Sequence, residues 1–113
     1  MASRRKATHD AADLDALIED ITVDAHDIEE QLVGFECVIG ELLEKPLTAT
    51  VIGEPVEVVS VQVHGEAVVG LLAVVKRGRR SHVISVLDIE AQPDTKLARH
   101  LAAYRRWAGL DRE

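Results

Sequence analysis

Oxygen donors dominate the reactive side chains in the first half of this sequence. Asp24, Asp27, Glu29 and Glu30 fall within seven positions of the stretch ITVDAHDIEEQLVGFE, and Glu41 and Glu44 follow farther on. Carboxylates at this density have two common uses. They hold a hard cation such as Ca2+, which takes six to eight oxygen ligands from carboxylates, backbone carbonyls and water. Alternatively they cap helix ends and solvate a surface. No segment matches the D-x-[DN]-x-[DN]-G loop with a glutamate at its twelfth position, so a calcium site here is of a non-EF-hand kind.

Helical geometry divides these acids into two groups. At 100° per residue, Asp27, Glu30, Glu41 and Glu44 lie on one polar side of a helix. Glu30 and Glu41 are eleven residues apart, roughly 16 Å along the axis, too far to share an ion. Asp24, Asp27 and Glu30 fall at the positive pole of the helix, where capping accounts for them without a metal. Glu41 and Glu44 fall at the negative pole, beside carbonyls that lack intrahelical partners. A cation there would offset the repulsion and use those carbonyls as ligands; Lys45 and solvent are the alternative. Both ends therefore stand as metal-ligand candidates, with Glu41 and Glu44 favoured.

Other chemistry finds less support. In DIEAQPD (88–94), Asp88, Glu90, Gln92 and Asp94 alternate and would share one side of an extended segment, with Asp94 as a helix cap. The five histidines show neither HxxxH nor HExxH spacing, and the one cysteine, Cys37, has no basic activator in sequence. Cys37 is expected as a buried or half-buried apolar residue. Zinc and thiol chemistry are thus unsupported. No G-x-S-x-G, P-loop or dinucleotide glycine pattern occurs, and we expect no enzyme. KRGRRSH (76–82) gathers four cations at a turn without an adjacent aromatic platform for bases. It reads as a charged turn that protects a sheet edge, with phosphate or an acidic protein as its other possible contacts.

The elements that position these groups follow from periodicity. Residues 11–20 place Leu14, Leu17 and Ile18 on one helical face. Ile28, Leu32, Phe35, Ile39 and Leu42 recur at spacings of four, three, four and three, an amphipathic helix running to about Glu44 and stopped by Pro46. The segments at 48–53, 56–64, 67–76 and 81–87 are rich in β-branched residues. They are separated by Gly53-Glu54-Pro55, His64-Gly65-Glu66 and Arg77-Gly78-Arg79. Four antiparallel strands in a meander, curling into a small barrel-like sheet, are expected. Residues 94–108 form a last helix with Leu97, Leu101, Tyr104 and Ala108 on its apolar side. The fold class is α+β: a tail over 1–9, then one domain over 10–113.

The charge pattern sets the expected partners. Net charge is −7 over 113 residues, and residues 10–44 hold twelve acids and no lysine or arginine. Such a face attracts cations or basic proteins and repels nucleic acid and anionic membrane. The longest apolar run, AVVGLLAVV, is too short for a spanning helix. One cysteine and no apolar leader point to the cytoplasm. Besides calcium binding, a non-catalytic interaction module or accessory subunit docking on a larger protein fits this charge pattern.

The stretch VDAHDIEEQLVGFECVIGELLEKPLTA (23–49) resembles the small bacterial calcium-binding proteins typified by CcbP. Val23, Asp24, Ala25, Asp27, Glu29, Glu30, Gly34, Phe35, Pro46, Thr48 and Ala49 fit that pattern. Gly78, Ser85, Leu87, Asp88, Asp94, Thr95, Tyr104 and Trp107 extend it to about residue 108. The family's aromatic triplet is Glu36-Cys37-Val38 here, and its Leu-Glu-Asp is Ile39-Gly40-Glu41. The resemblance implies an α+β fold and calcium as ligand, with Glu41 where the family has an aspartate.

Overall fold

The computed structural model describes residues 10–65 and 69–109. The expected tail over 1–9 and Glu66 of the 64–66 turn lie outside the described residues. Helix α1 spans Ala11–Ile21 and α2 spans Ile28–Leu42. Strands β1 (Leu47–Val51), β2 (Glu54–Gly65), β3 (Val69–Arg77) and β4 (Arg80–Ser85) follow. A 3-10 turn at Val86–Asp88, a two-residue strand β5 (Ile89–Glu90) and helix α3 (Lys96–Trp107) complete the α+β chain.

The sheet has five strands rather than four, in the order β4-β3-β2-β1-β5 with antiparallel neighbours. It is open, not barrel-like, with β4 and β5 at its two edges. The extra strand comes from DIEAQPD: Thr50 pairs with Glu90 and Val51 with Ile89. That segment is therefore not one extended run: Asp88 ends the 3-10 turn, and only Ile89 and Glu90 are strand.

One sheet face is covered by helices. Leu32, Phe35 and Ile39 of α2 are fully buried, together with Val58, Leu71, Ala73 and Val75 of the sheet. A bulge between Val58 and Ser60 explains how VEVVSVQV keeps its valines inward. Before it, Val56 and Val58 face the core; after it, Val61 and Val63 do. One extra residue resets the two-residue alternation. The chain's only three aromatics, Phe35, Tyr104 and Trp107, form one cluster with ring centroids 5.2–5.7 Å apart.

The β2–β3 hairpin runs past the ends of β1 and β4, which would leave strand amides without ladder partners. Helical side chains take up two of them. A Glu36 carboxylate oxygen accepts the Val63 N–H at 3.0 Å, and the Tyr104 hydroxyl accepts the buried Leu71 N–H at 3.0 Å. Paired backbone groups are what allow the hairpin to be packed there.

Two expectations about α2 are corrected. Ile28 is 57% exposed, because it is the first helical residue and lies beyond the edge of the core. Cys37 is exposed. It follows buried Phe35 by two residues, about 200° around the helix, which turns it to solvent.

Candidate functional site

The N-terminal acids of α2 form a cap. Asp27 is extended at the N-cap and its carboxylate accepts the Glu30 N–H at 2.9 Å. Glu30 reaches back and accepts the His26 N–H at 2.6 Å. This is a capping box displaced by one residue, satisfying amides that begin a helix without partners. Asp27 and Glu30 each spend one oxygen on backbone and keep the other. Asp24 is exposed in the connection between α1 and α2. That connection is held tightly: a Cβ on Gly34 would lie 2.8 Å from the Ile21 carbonyl oxygen, so the end of α1 rests directly on α2.

The other end differs. The Leu43 N–H closes α2 on the Gly40 carbonyl at 3.0 Å. Glu41 and Glu44 are exposed and enter no ion pair or hydrogen bond among the described residues. No basic residue stands in the last turn of α2. The two ends of α2 stay apart, as helix length requires. Among the described residues, no three His, Cys, Asp or Glu side chains gather into a metal-holding group.

Two acids of α1, Asp13 and Asp15, have partners that spacing alone did not reveal. Arg99 of α3 donates from Nε and Nη2 to the two Asp13 carboxylate oxygens, both at 2.9 Å. Arg106 does the same to Asp15 at 2.7 and 3.2 Å. The hydrogen bond from Arg106 holds the Asp15 carboxyl below its ordinary range, and the bond to Asp13 raises the Arg99 guanidinium. The available signal was the seven-residue interval between Arg99 and Arg106, which puts both on one face of α3.

Arg105 supports the region before α3. Its Nη2 donates to the Leu87 and Ile89 carbonyls at 2.9 and 2.8 Å, fixing the 3-10 turn and β5. Thr95, not Asp94, caps α3, its hydroxyl accepting the Ala98 N–H at 3.1 Å. Asp88, Glu90, Gln92 and Asp94 are all exposed. His100 is half-buried on α3, and burial lowers its pKa, outweighing its contact with the Lys96 carbonyl.

Three helices packed with an open five-stranded antiparallel sheet define the class of fold. Two solved structures share it. One is Anabaena CcbP, with a TM-score of 0.68 and 24% identity over 96% of this chain and 95% of that one. The other is described as a calcium binding protein in the calcium-binding form, with a TM-score of 0.68 and 21% identity over 94% and 96% of the two chains. No protein-family model matches the sequence, and no curated protein does.

Proposed function

We propose that this chain is a non-catalytic calcium-binding protein of the cytoplasm, a buffer or modest sensor. The carrying observation is the fold it shares, over nearly its whole length, with Anabaena CcbP and with a protein described in its calcium-binding form. The donors of α2 fit the cation in kind, because Ca2+ is hard and prefers carboxylate, carbonyl and water oxygens. They do not form a preassembled cage of three carboxylates. A site at the C-terminal end of α2 would use Glu41 and Glu44, last-turn carbonyls and several waters. Asp24, Asp27 and Glu30 would offer a second, weaker location, since capping already employs two of them. So open a donor set implies modest affinity. The exposed thiol of Cys37 suits a reducing compartment.

Calorimetric titration with Ca2+, run beside a Mg2+ control, tests the reading. If binding is confined to the native state, a hundredfold excess over Kd adds about 2.7 kcal/mol of stability. Glu41→Gln is expected to weaken binding strongly and Asp27→Asn to weaken it little, since asparagine still caps the helix. The opposite ranking moves the ion to the other end of α2. No heat and an unchanged melting curve at millimolar Ca2+ overturn the proposal.

A further inference from the structure

The turn between β1 and β2 carries a residue that its geometry disfavours twice. Ile52 and Gly53 are the central pair, with φ of 50° and 78°. Positive φ at both positions makes this a tight hairpin turn of the kind best served by Asn-Gly. A β-branched residue is strained there, and Ile52 is in addition 93% exposed. Neither the turn nor the core requires an isoleucine at this point.

The β3–β4 turn lies beside it. β2 leaves the first turn at Glu54 and β3 enters the second at Arg77, and the two side chains are joined by an ion pair at 3.0 Å. Lys76, Arg79 and Arg80 are exposed at the same end and form no ion pair among the described residues. The nearby acids are Glu54, already paired, Glu57 opposite Lys76, Glu90 opposite Thr50, and exposed Asp88, which adjoins the Ile89 partner of Val51 on the β5 side, away from the cations of the β3–β4 turn.

The acids of α2 and of the connection after it do not neutralise this end. Glu36 of α2 bonds to Val63, nine residues beyond Glu54 along β2 and about 30 Å away at strand rise. Glu44 precedes β1, whose length puts roughly 17 Å between it and the turn. Exposed charges are largely screened beyond about 8–10 Å at physiological salt. The net charge of the chain therefore does not describe its tip.

We propose that the two turns form a weak, reversible docking tip for anionic lipid bilayers, with Ile52 entering the acyl boundary and Lys76, Arg79 and Arg80 meeting the headgroups. An acidic protein is the less favoured occupant. A specific protein interface needs about 800 Å² on each side around a desolvated core, and two adjoining turns with one aliphatic point offer no such surface. A bilayer requires only an apolar insertion and a few cations.

Vesicle co-sedimentation in the presence of a calcium chelator tests this independently of calcium binding. The probes are phosphatidylcholine vesicles with and without one-third phosphatidylglycerol. The intact chain is expected to sediment with the anionic vesicles alone, and less so as salt rises. Replacing Arg79 and Arg80 by glutamate should lower partitioning by about fivefold or more per residue. Ile52→Asn, which suits the turn, should lower it about tenfold while far-UV circular dichroism stays native. Failure to bind anionic vesicles, equal binding to neutral ones, or full binding by Ile52→Asn overturns the proposal. Binding to poly-glutamate without binding to vesicles assigns the tip to acidic proteins instead.

Discussion

The acids of α1 and the acids of α2 share one chemistry and meet different fates. Asp13 and Asp15 face α3 and are gripped by Arg99 and Arg106. Asp27 and Glu30 face the start of their own helix, and Glu41 and Glu44 face water. The charge of Asp13 and Asp15 is thus consumed in holding two helices together. The charge of Glu41 and Glu44 is unpaired among the described residues, and α2 is held by other means. Its attachments are the apolar stripe of Leu32, Phe35 and Ile39, the Glu36 bond to β2, and the Trp107 Nε1–H donated to Gln31 at 2.7 Å.

Phe35→Ala tests that reading most severely. Phe35 is fully buried and touches both other aromatics. Its removal leaves a cavity and should cost about 3–5 kcal/mol, a large part of an ordinary domain's stability. Urea unfolding measures it. A loss below about 1 kcal/mol would mean that α2 is held mainly by its polar bonds.

Two glycines in the same helix sharpen the point. A methyl group on Gly34 would meet the Ile21 carbonyl at 2.8 Å, and backbone cannot easily yield. Gly34→Ala should therefore cost about 1–3 kcal/mol despite the better helix propensity of alanine. At Gly40 nothing lies within 4 Å, so Gly40→Ala should gain about 1 kcal/mol. Thermal melts of the pair are expected to move in opposite directions. If both rise, α1 does not rest on α2 as closely as it does here.

The same contrast separates what the sequence discloses from what it conceals. Leu32, Phe35 and Ile39 were legible because a helical face repeats within eight residues. Ile28 extended that stripe one turn too far, since periodicity says nothing about where the core ends. Cys37 was legible in principle, because its two-residue offset from Phe35 turns it outward. The strand β5 was not legible: two residues contain no alternation, and its partner β1 is forty positions away. The bonds from Arg99 and Arg106 to α1 span 86 and 91 residues. Local pattern carries no record of pairs so distant. At the candidate calcium site the sequence supplied the donor types and the separation of the two ends. Which carboxylates were already engaged emerged only from the cap geometry.

The α1–α3 grip is expected to contribute modestly. Both ion pairs are partly exposed, so Arg99→Ala should cost no more than about 1 kcal/mol, and added salt should shrink the difference from wild type. Acid should reveal the pairs more clearly. Arg106 depresses the Asp15 pKa below 3.8, so the unfolded chain takes up that proton first. The contribution is complete above pH 3.8 and is lost as pH falls through the folded value. Half-buried His100 acts in the same sense at higher pH. Its folded pKa lies below 6.5, so stability declines as pH drops through 6.5 and levels off below the folded value. Denaturation profiles of wild type and Arg106→Ala should converge below pH 3.8. Profiles that stay parallel there would show that Asp15 is not the group the arginine serves.

The smallest expected effect lies at Glu41. In the absence of Ca2+ its charge sits at the negative pole of α2 with no paired cation among the described residues. Glu41→Gln removes that charge and keeps the shape, so it should raise apo stability by a few tenths of a kcal/mol. Asp13→Asn should have the opposite sign, because it dismantles a doubly bonded pair. The two variants neutralise one carboxylate each, on neighbouring helices, and differ only in whether the protein has already used the charge. Excess Ca2+ should then reverse the order at Glu41, stabilising wild type more than Glu41→Gln. A Glu41→Gln variant less stable than wild type without the ion would mean that Glu41 already has a stabilising partner in the apo protein. The separation between spent and spare carboxylates would then fail at the residue where it matters most.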